Sequence, residues 1–460
     1  MVITATALIQ ALVLSIAGSF IFTVIGIIPG TDETATMAPL TLILVLLGAE
    51  PIALLAWFIA IAQAIQIAHT IPTAMSALPG STTSVPMVHY TSLAKQLGIP
   101  HISMRKLAAG SVIGGLVAIP IAIVIAYFLA PFASHIEPYV GLVFTLGAIL
   151  IAYMSKAKWG AIIALVPLSF LIQGFQSIAL DAVGHTLFIS IFMGITIGPM
   201  ITELFSVMIP SLRNNQARET KKSVWLAPEP KEKLPYFPNP LKLLTKKQRR
   251  STVGFAAVTA AGFIFSPVGL VVLMGEIVAG RKDELYDKIT STLVVQDAVS
   301  NATYMGGFII PMLAFGLPLS GVAIGPAAPL FNAPPRFYLE PEIHNLSSYL
   351  QPWHYLVFGF IAILIGSMFA YPIAIRKARQ WTEFMFKYIS HEALVGTFLG
   401  LIFMLAFYEA GVLGVLVTLC LGLFGGILNN LFDIHTGVQF MAYYASGWIV
   451  TTLLSLAGLF

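Results

Sequence analysis

For its first 94 residues the chain carries no lysine or arginine: Lys95 is the first, and the only acids before it are Asp32, Glu33 and Glu50. A soluble domain carries about 25% charged residues. Here the charged share is 10%, the hydrophobic share 58% and the mean hydropathy +0.89. Such a chain uses the bilayer as its solvent. The N-terminus has no basic segment ahead of its apolar run, so it reads as a first membrane helix rather than a signal peptide.

Crossing roughly 30 Å of hydrocarbon takes about 20 apolar residues in a helix. Stretches of that kind lie near 3–28, 35–71, 107–130, 138–154, 158–173 and 183–210, then near 251–279, 297–333, 353–375, 393–408, 411–428 and 434–459. Some are short or interrupted, so the expected architecture is all-α and polytopic, with about 10–12 membrane segments, some of them re-entrant or broken. The expected organisation is an N-terminal membrane half (1–210), a basic linker (211–250) and a C-terminal membrane half (251–460). The linker region holds 11 of the 24 Lys and Arg residues, among five prolines. That clustering marks a cytoplasmic loop rather than a nucleic-acid surface. Cys420, the single cysteine, excludes an intrachain disulfide and reads as a small core residue.

Basic clusters at Lys95–Lys106, Lys156–Lys158, 211–250 and Arg376–Lys387 alternate with loops that lack Lys and Arg or, at 281–288, balance Arg281, Lys282 and Lys288 with Asp283, Glu284 and Asp287. This alternation puts the clusters on the cytoplasmic side of the membrane. Residues 297–333 must then cross an even number of times, and each arm has only about 17 residues, so a re-entrant hairpin turning at Gly316-Leu-Pro318-Leu-Ser320-Gly is expected.

Three helix breaks carry the polar side chains. The first is Gly26-Ile-Ile-Pro29-Gly30-Thr31-Asp32-Glu33-Thr34, the second Leu78-Pro79-Gly80-Ser81-Thr82-Thr83-Ser84, and the third the Gly316–Gly321 turn. An unwound backbone survives at membrane depth only where it lines a cavity. Paired interruptions in two halves point to a transporter's binding site, and the Gly26–Gly30 and Gly316–Leu319 breaks echo each other as a weak pseudo-repeat. Hydroxyls and free amides at helix starts can hold a carboxylate or phosphate without a buried cation. The expected solute-binding residues are therefore Pro29, Gly30, Thr31, Thr34, Pro79, Gly80, Ser81, Thr82, Thr83, Asn301, Thr303, Pro318 and Ser320.

Asp32 and Glu33 are expected to couple to an ion, since a carboxylate at the bilayer centre needs water, a partner or a cation. The plainer reading makes them helix caps at the membrane surface. Asn301, Thr303 and Ser300 could equally be interhelical hydrogen-bond glue, and Asp297 a cap at the interface. His69 and Gln66 lie one turn apart, and the plainer reading is packing.

These residues resemble a known family. Ile25–Gly30 with Ala38-Pro39-Leu40-Thr41, Pro79-Gly80, Ser84-Val85, Ala94-Lys95-Gln96 and Gly110-Ser111 with Gly114-Gly115 are similar to the first-half pattern of the large membrane subunit of tripartite tricarboxylate transporters. Ser300-Asn301-Ala302, Gly306-Gly307, Ile310-Pro311, Leu313 and Gly316-Leu317-Pro318 with Ser320 resemble its second-half motif. Ile65-Gln66-Ile67-Ala68-His69-Thr70 replaces the family's tyrosine- and glycine-rich stretch, and Leu319 stands where a glycine is usual, so the chain is identified as a divergent member.

The resemblance implies an ion-coupled importer of carboxylates, with a small membrane subunit and an extracytoplasmic solute-binding protein as partners. It would sit in the cell membrane of a prokaryote, and a homodimer is one assembly open to it. The function expected is thus a secondary permease for small organic anions driven by Na+ or H+, with no other cofactor. A translocase for a lipid-linked phosphate is the alternative from the same chemistry. An intramembrane hydrolase lacks a nucleophile–base pair of suitable spacing.

Overall fold

A computed structural model describes residues 3–29, 31–136, 139–211, 234–331, 346–388 and 391–458. Among these there is no strand. The principal helices are α1 (Ala5–Gly26), α2 (Glu33–Leu46), α3 (Pro51–Ser76), α4 (Val88–Gln96), α5 (Pro100–Leu129), α6 (Val140–Met154), α7 (Trp159–Val183) and α8 (Ile189–Met208). After the linker come α9 (Lys246–Ala260), α10 (Pro267–Ala279), α11 (Leu285–Ala314), α12 (Pro352–Pro372), α13 (Ala378–Tyr388), α14 (His391–Phe432) and α15 (Thr436–Leu456). Six helical stretches among the described residues are long and apolar enough to cross a membrane, and four shorter helices are also apolar.

The described residues pack as two compact units: those within 1–131, 223–336 and 342–391, and those within 132–222 and 392–460. Each unit draws on both sides of the linker, so the packing units are interleaved in sequence.

In the first unit, α1 shows how a bilayer inverts the usual pattern. It buries Ala7, Ala11, Ser15, Gly18 and Ser19 and exposes Leu8, Ile9, Leu12, Val13 and Phe20. Small residues let backbones approach, while large apolar ones suit lipid. The centre of this unit is α3 and α11, each buried along almost its whole length. Helix α5 lies against α11 through Gly110 and Gly114, four residues apart, whose missing side chains let the Val294 and Ala298 carbonyls press onto the α5 backbone. Any side chain at either glycine would strike main-chain atoms, so this contact depends on glycine.

The second unit, built from α6, α7, α8, α14 and α15, repeats the device. Gly194 and Gly198 on α8 face Thr418, Leu421, Gly422 and Gly426 on α14. Helix α14 is broken at Ala410 and at Gly411, whose φ of +57° favours glycine. This break falls between the two apolar stretches expected at 393–408 and 411–428. Glu409 stands at the break and caps α8: its carboxylate accepts from the amides of Phe188, Ile189 and Ser190 at 2.7–2.8 Å and from Ser190 Oγ at 2.6 Å.

Three expectations are corrected. The 297–333 segment is not two arms of similar length. Helix α11 begins at Leu285, ahead of the expected arm, and runs for 30 residues, because it packs along α5, α9 and α10. After the break at 315–320 come only the short turns Gly321–Ile324 and Ala328–Phe331, since Gly325, Pro326 and Pro329 deny a longer helix its hydrogen bonds. Asp297 is not an interface cap but lies in the interior of α11, fully buried. Cys420 is exposed on α14 instead of buried, because the apolar run around it turns one face outward.

Candidate solute and ion site

Three interruptions bring polar groups to the middle of α3. At the first, Thr31 is buried and its hydroxyl donates to the Ile28 carbonyl at 2.7 Å and the Ile25 carbonyl at 3.3 Å, closing the end of α1. Pro29 is half-buried, and Gly30 lies outside the described residues. Asp32 caps α2, its Oδ1 accepting from the Ala35 amide at 2.8 Å, and it retains accessible surface. The cap reading of Asp32 is therefore what its geometry displays. Glu33 is different: its side chain points to α3, is only 11% exposed, and sits 3.4 Å from His69 Nδ1.

At the second interruption Ala77 takes a left-handed conformation (φ +59°) and the chain doubles back along α3. Gly80 presses on the His69 carbonyl, where no larger residue fits, and its amide donates to Thr73 Oγ1 at 3.1 Å. Pro79 is half-buried. The following turn, Thr82–Met87, is tied by Ser81 and Ser84: the Ser81 amide donates to Ser84 Oγ at 3.0 Å, and Ser84 Oγ donates to the Ser81 carbonyl at 2.9 Å. Thr82 is exposed, whereas Thr83 is buried with its hydroxyl 2.9 Å from Ser81 Oγ.

These two loops meet at Gln66. Its Nε2 donates to Glu33 Oε1 at 3.1 Å. Thr83 Oγ1 lies 3.4 Å from both Glu33 Oε1 and Gln66 Oε1. From α11, Ser300 Oγ donates to Gln66 Oε1 at 3.1 Å. Gln66 and Ser300 each stand near the middle of a fully buried helix. Helix α3 has 26 residues, a length of roughly 39 Å at about 1.5 Å per residue. The cluster thus meets α3 and α11 near their middles, with Glu33 and Thr83 brought there from helix starts.

The third interruption, where Gly316 has φ +63°, also folds back. Pro318 and Ser320 are buried, and Ser320 Oγ donates to the Gly307 carbonyl of α11 while accepting from the Ala323 amide at 3.0 Å. Gly325 comes up against the Thr34 side chain, and the Ala328–Phe331 turn packs on α2. The first and third interruptions are therefore neighbours. Asn301 and Thr303 lie inside α11, between Ser300 of the cluster and Gly307, on which Ser320 folds back. Asn301 Nδ2 donates to Ser111 Oγ of α5, and the buried Thr303 hydroxyl has no hydrogen-bond partner.

Gln66, His69 and Ser300 are the residues that sequence reasoning left outside the site. A signal existed: Gln63, Gln66, Thr70 and Thr73 make a polar stripe at helical spacing down an otherwise apolar α3, and all are buried. At the cluster itself the Glu33 carboxylate is paired with His69.

The sequence matches the family described as the tripartite tricarboxylate transporter TctA family over residues 12–436. The chain belongs to this family. No curated protein and no solved structure matches it. Membership of the TctA family, with the apolar helices above, makes it a multi-pass membrane transporter protein and not an enzyme. All three interruptions and both buried helices lie within the matched residues.

Proposed function

We propose that this TctA-family chain is a secondary permease that imports small organic anions, carboxylates above all, coupled to Na+ or H+. The observation that carries the reading is the meeting of Glu33, Gln66, Thr83 and Ser300, from four segments, at the middle of two buried helices. Membrane transporters bind solute and ion at such mid-depth sites, where discontinuous helices leave polar groups free.

Charge supplies the argument for coupling. An anion entering beside Gln66 meets the carboxylates of Asp32 and Glu33, while Lys95 stands at the end of α3, on the Ser76 carbonyl. Two like charges about 4 Å apart repel by about 4 kcal/mol at an effective dielectric of 20. Protonation of Glu33, shared with His69, or a bound Na+ removes that repulsion, so the cation must arrive with or before the solute. The carboxylate would then be received by the hydroxyls of Ser81, Thr82 and Thr83 beside the Pro79-Gly80 turn, with Thr34 and the Pro318–Ser320 turn on the Gly325 side. Thr31 acts by closing α1, and Asn301 and Thr303 act from within α11. The 211–250 loop would lie in the cytoplasm of a prokaryotic cell. A small membrane subunit and a solute-binding protein would deliver the anion.

Purified chain in proteoliposomes, with citrate and smaller dicarboxylates as solutes, tests this. Uptake should require an inward Na+ or H+ gradient and should fall at least tenfold in the double variant Asp32→Asn/Glu33→Gln. Gradient-independent flux, or full coupling in that variant, overturns the reading.

A further inference from the structure

Helix α11 holds a second polar group that the Glu33 cluster does not use. Asp297 is fully buried, and neither of its carboxylate oxygens has a hydrogen-bond partner. One turn further on, Asn301 is also fully buried. Its amide nitrogen is engaged with Ser111 Oγ on α5, which leaves its Oδ1 as an acceptor, and that atom too is without a partner. Three buried acceptor oxygens on adjacent turns of one helix therefore face no donor. The ion pairs of the described residues do not include Asp297. A bare buried carboxylate is strongly destabilising unless something positive accompanies it.

We propose that Asp297 and Asn301, with the Ser111 hydroxyl beside them, form a binding site for a dehydrated Na+ ion. A proton on Asp297 would turn one of the three oxygens into a donor, which can serve one of the remaining two and leaves the other bare. A hard monovalent cation accepts all three oxygens at once and cancels the single charge, and oxygen ligands are what such ions prefer. The site rests on the permease reading for its purpose and extends it. Asp297 sits on the helix face between the α5 contact, marked by Val294 and Ala298, and the α3 contact, marked by Ser300. Occupancy would fix Asn301 and its neighbour Ser300, and through Ser300 the Gln66 amide that holds Glu33. Na+ at Asp297 thereby prepares the solute site without touching the solute.

The test is binding by the purified full chain in detergent, with no solute present. NaCl should raise the melting temperature in a saturable way, while choline chloride at equal ionic strength should not. Asp297→Asn should abolish the Na+ response, yet melt higher than wild type in Na+-free buffer because an unpaired buried charge is gone. Ser111→Ala, a milder change, should keep the response but weaken the apparent affinity by about tenfold or more, as expected for losing about 1.4 kcal/mol. A wild-type protein indifferent to Na+, or stabilised by acid alone, overturns the proposal, as does an undiminished Na+ response in Asp297→Asn. Binding and transport separate the two readings: Na+ binding without uptake driven by either a Na+ or an H+ gradient sinks the coupled permease alone. Na+-driven uptake with Na+ stabilisation intact in Asp297→Asn sinks this site alone.

Discussion

Replacing Gln66 by leucine removes the residue to which the other groups of the cluster are tied, and its effect can be worked out bond by bond. The amide donates to the Glu33 carboxylate at 3.1 Å, and a hydrogen bond to a charged group contributes about 1.5–3 kcal/mol. It accepts from Ser300 at 3.1 Å, an interhelical bond that averages about 0.6 kcal/mol in membrane proteins and reaches about 1.7 at most. The Thr83 contact, at 3.4 Å, is long enough to add little. The expected loss is about 2–4 kcal/mol, most of it from Glu33. Unfolding in mixed micelles of SDS and a mild detergent gives the single values. Two double-mutant cycles, Gln66→Leu with Glu33→Ala and Gln66→Leu with Ser300→Ala, then apportion them. The first coupling should exceed the second. Additive behaviour in both cycles, or a single-mutant loss below about 0.5 kcal/mol, would show that these side chains do not meet, and the mid-depth cluster would be wrong.

Gly114→Leu should prevent accumulation of folded protein, because a side chain there strikes the Ala298 carbonyl; Gly174→Leu, at a glycine with open space around it, should give a normal monodisperse peak when detergent extracts are compared by size-exclusion chromatography. Glu409→Leu should destabilise by about 3 kcal/mol or more, since it orphans three amides at the start of α8, and Glu409→Gln should recover part of that loss in the same unfolding assay. Thr31→Val should lower stability by about 1–2 kcal/mol by uncapping α1, while Thr31→Ser leaves both stability and the apparent KM for uptake unchanged; a large KM rise in the serine variant would mean that the methyl group contacts solute.

The local chemistry of the interruptions was legible. Pro-Gly pairs, hydroxyl clusters and the Glu409–Gly411 junction mark where helices end, because proline lacks a donor and glycine tolerates a left-handed backbone, whatever surrounds them. The all-α, bilayer-embedded class followed from composition alone. What stayed hidden was pairing over distance. Gln66 and Ser300 are 234 positions apart, and nothing within either segment says that the two helices lie together. The start of α11 was hidden for a related reason: Asp287 and Lys288 look like a loop if the neighbour is assumed to be lipid, and like a helix once α9 and α10 are known to cover it. Asp297 was misjudged as an interface cap on the same assumption.

Helix α11 also carries a consequence for biogenesis. With Gln296, Asp297 and Asn301 near its centre, it is not among the stretches apolar enough to cross unaided. One such acid alone opposes translocon-mediated insertion by about 2.5–3.5 kcal/mol. Synthesis order solves the problem, because α3 and α5 leave the ribosome first and offer Gln66, Ser111 and the glycine face as a prepared berth. Chains from which α3 and α5 are deleted, or with α11 moved ahead of them, should expose this segment to the wrong side and be cleared by membrane proteases.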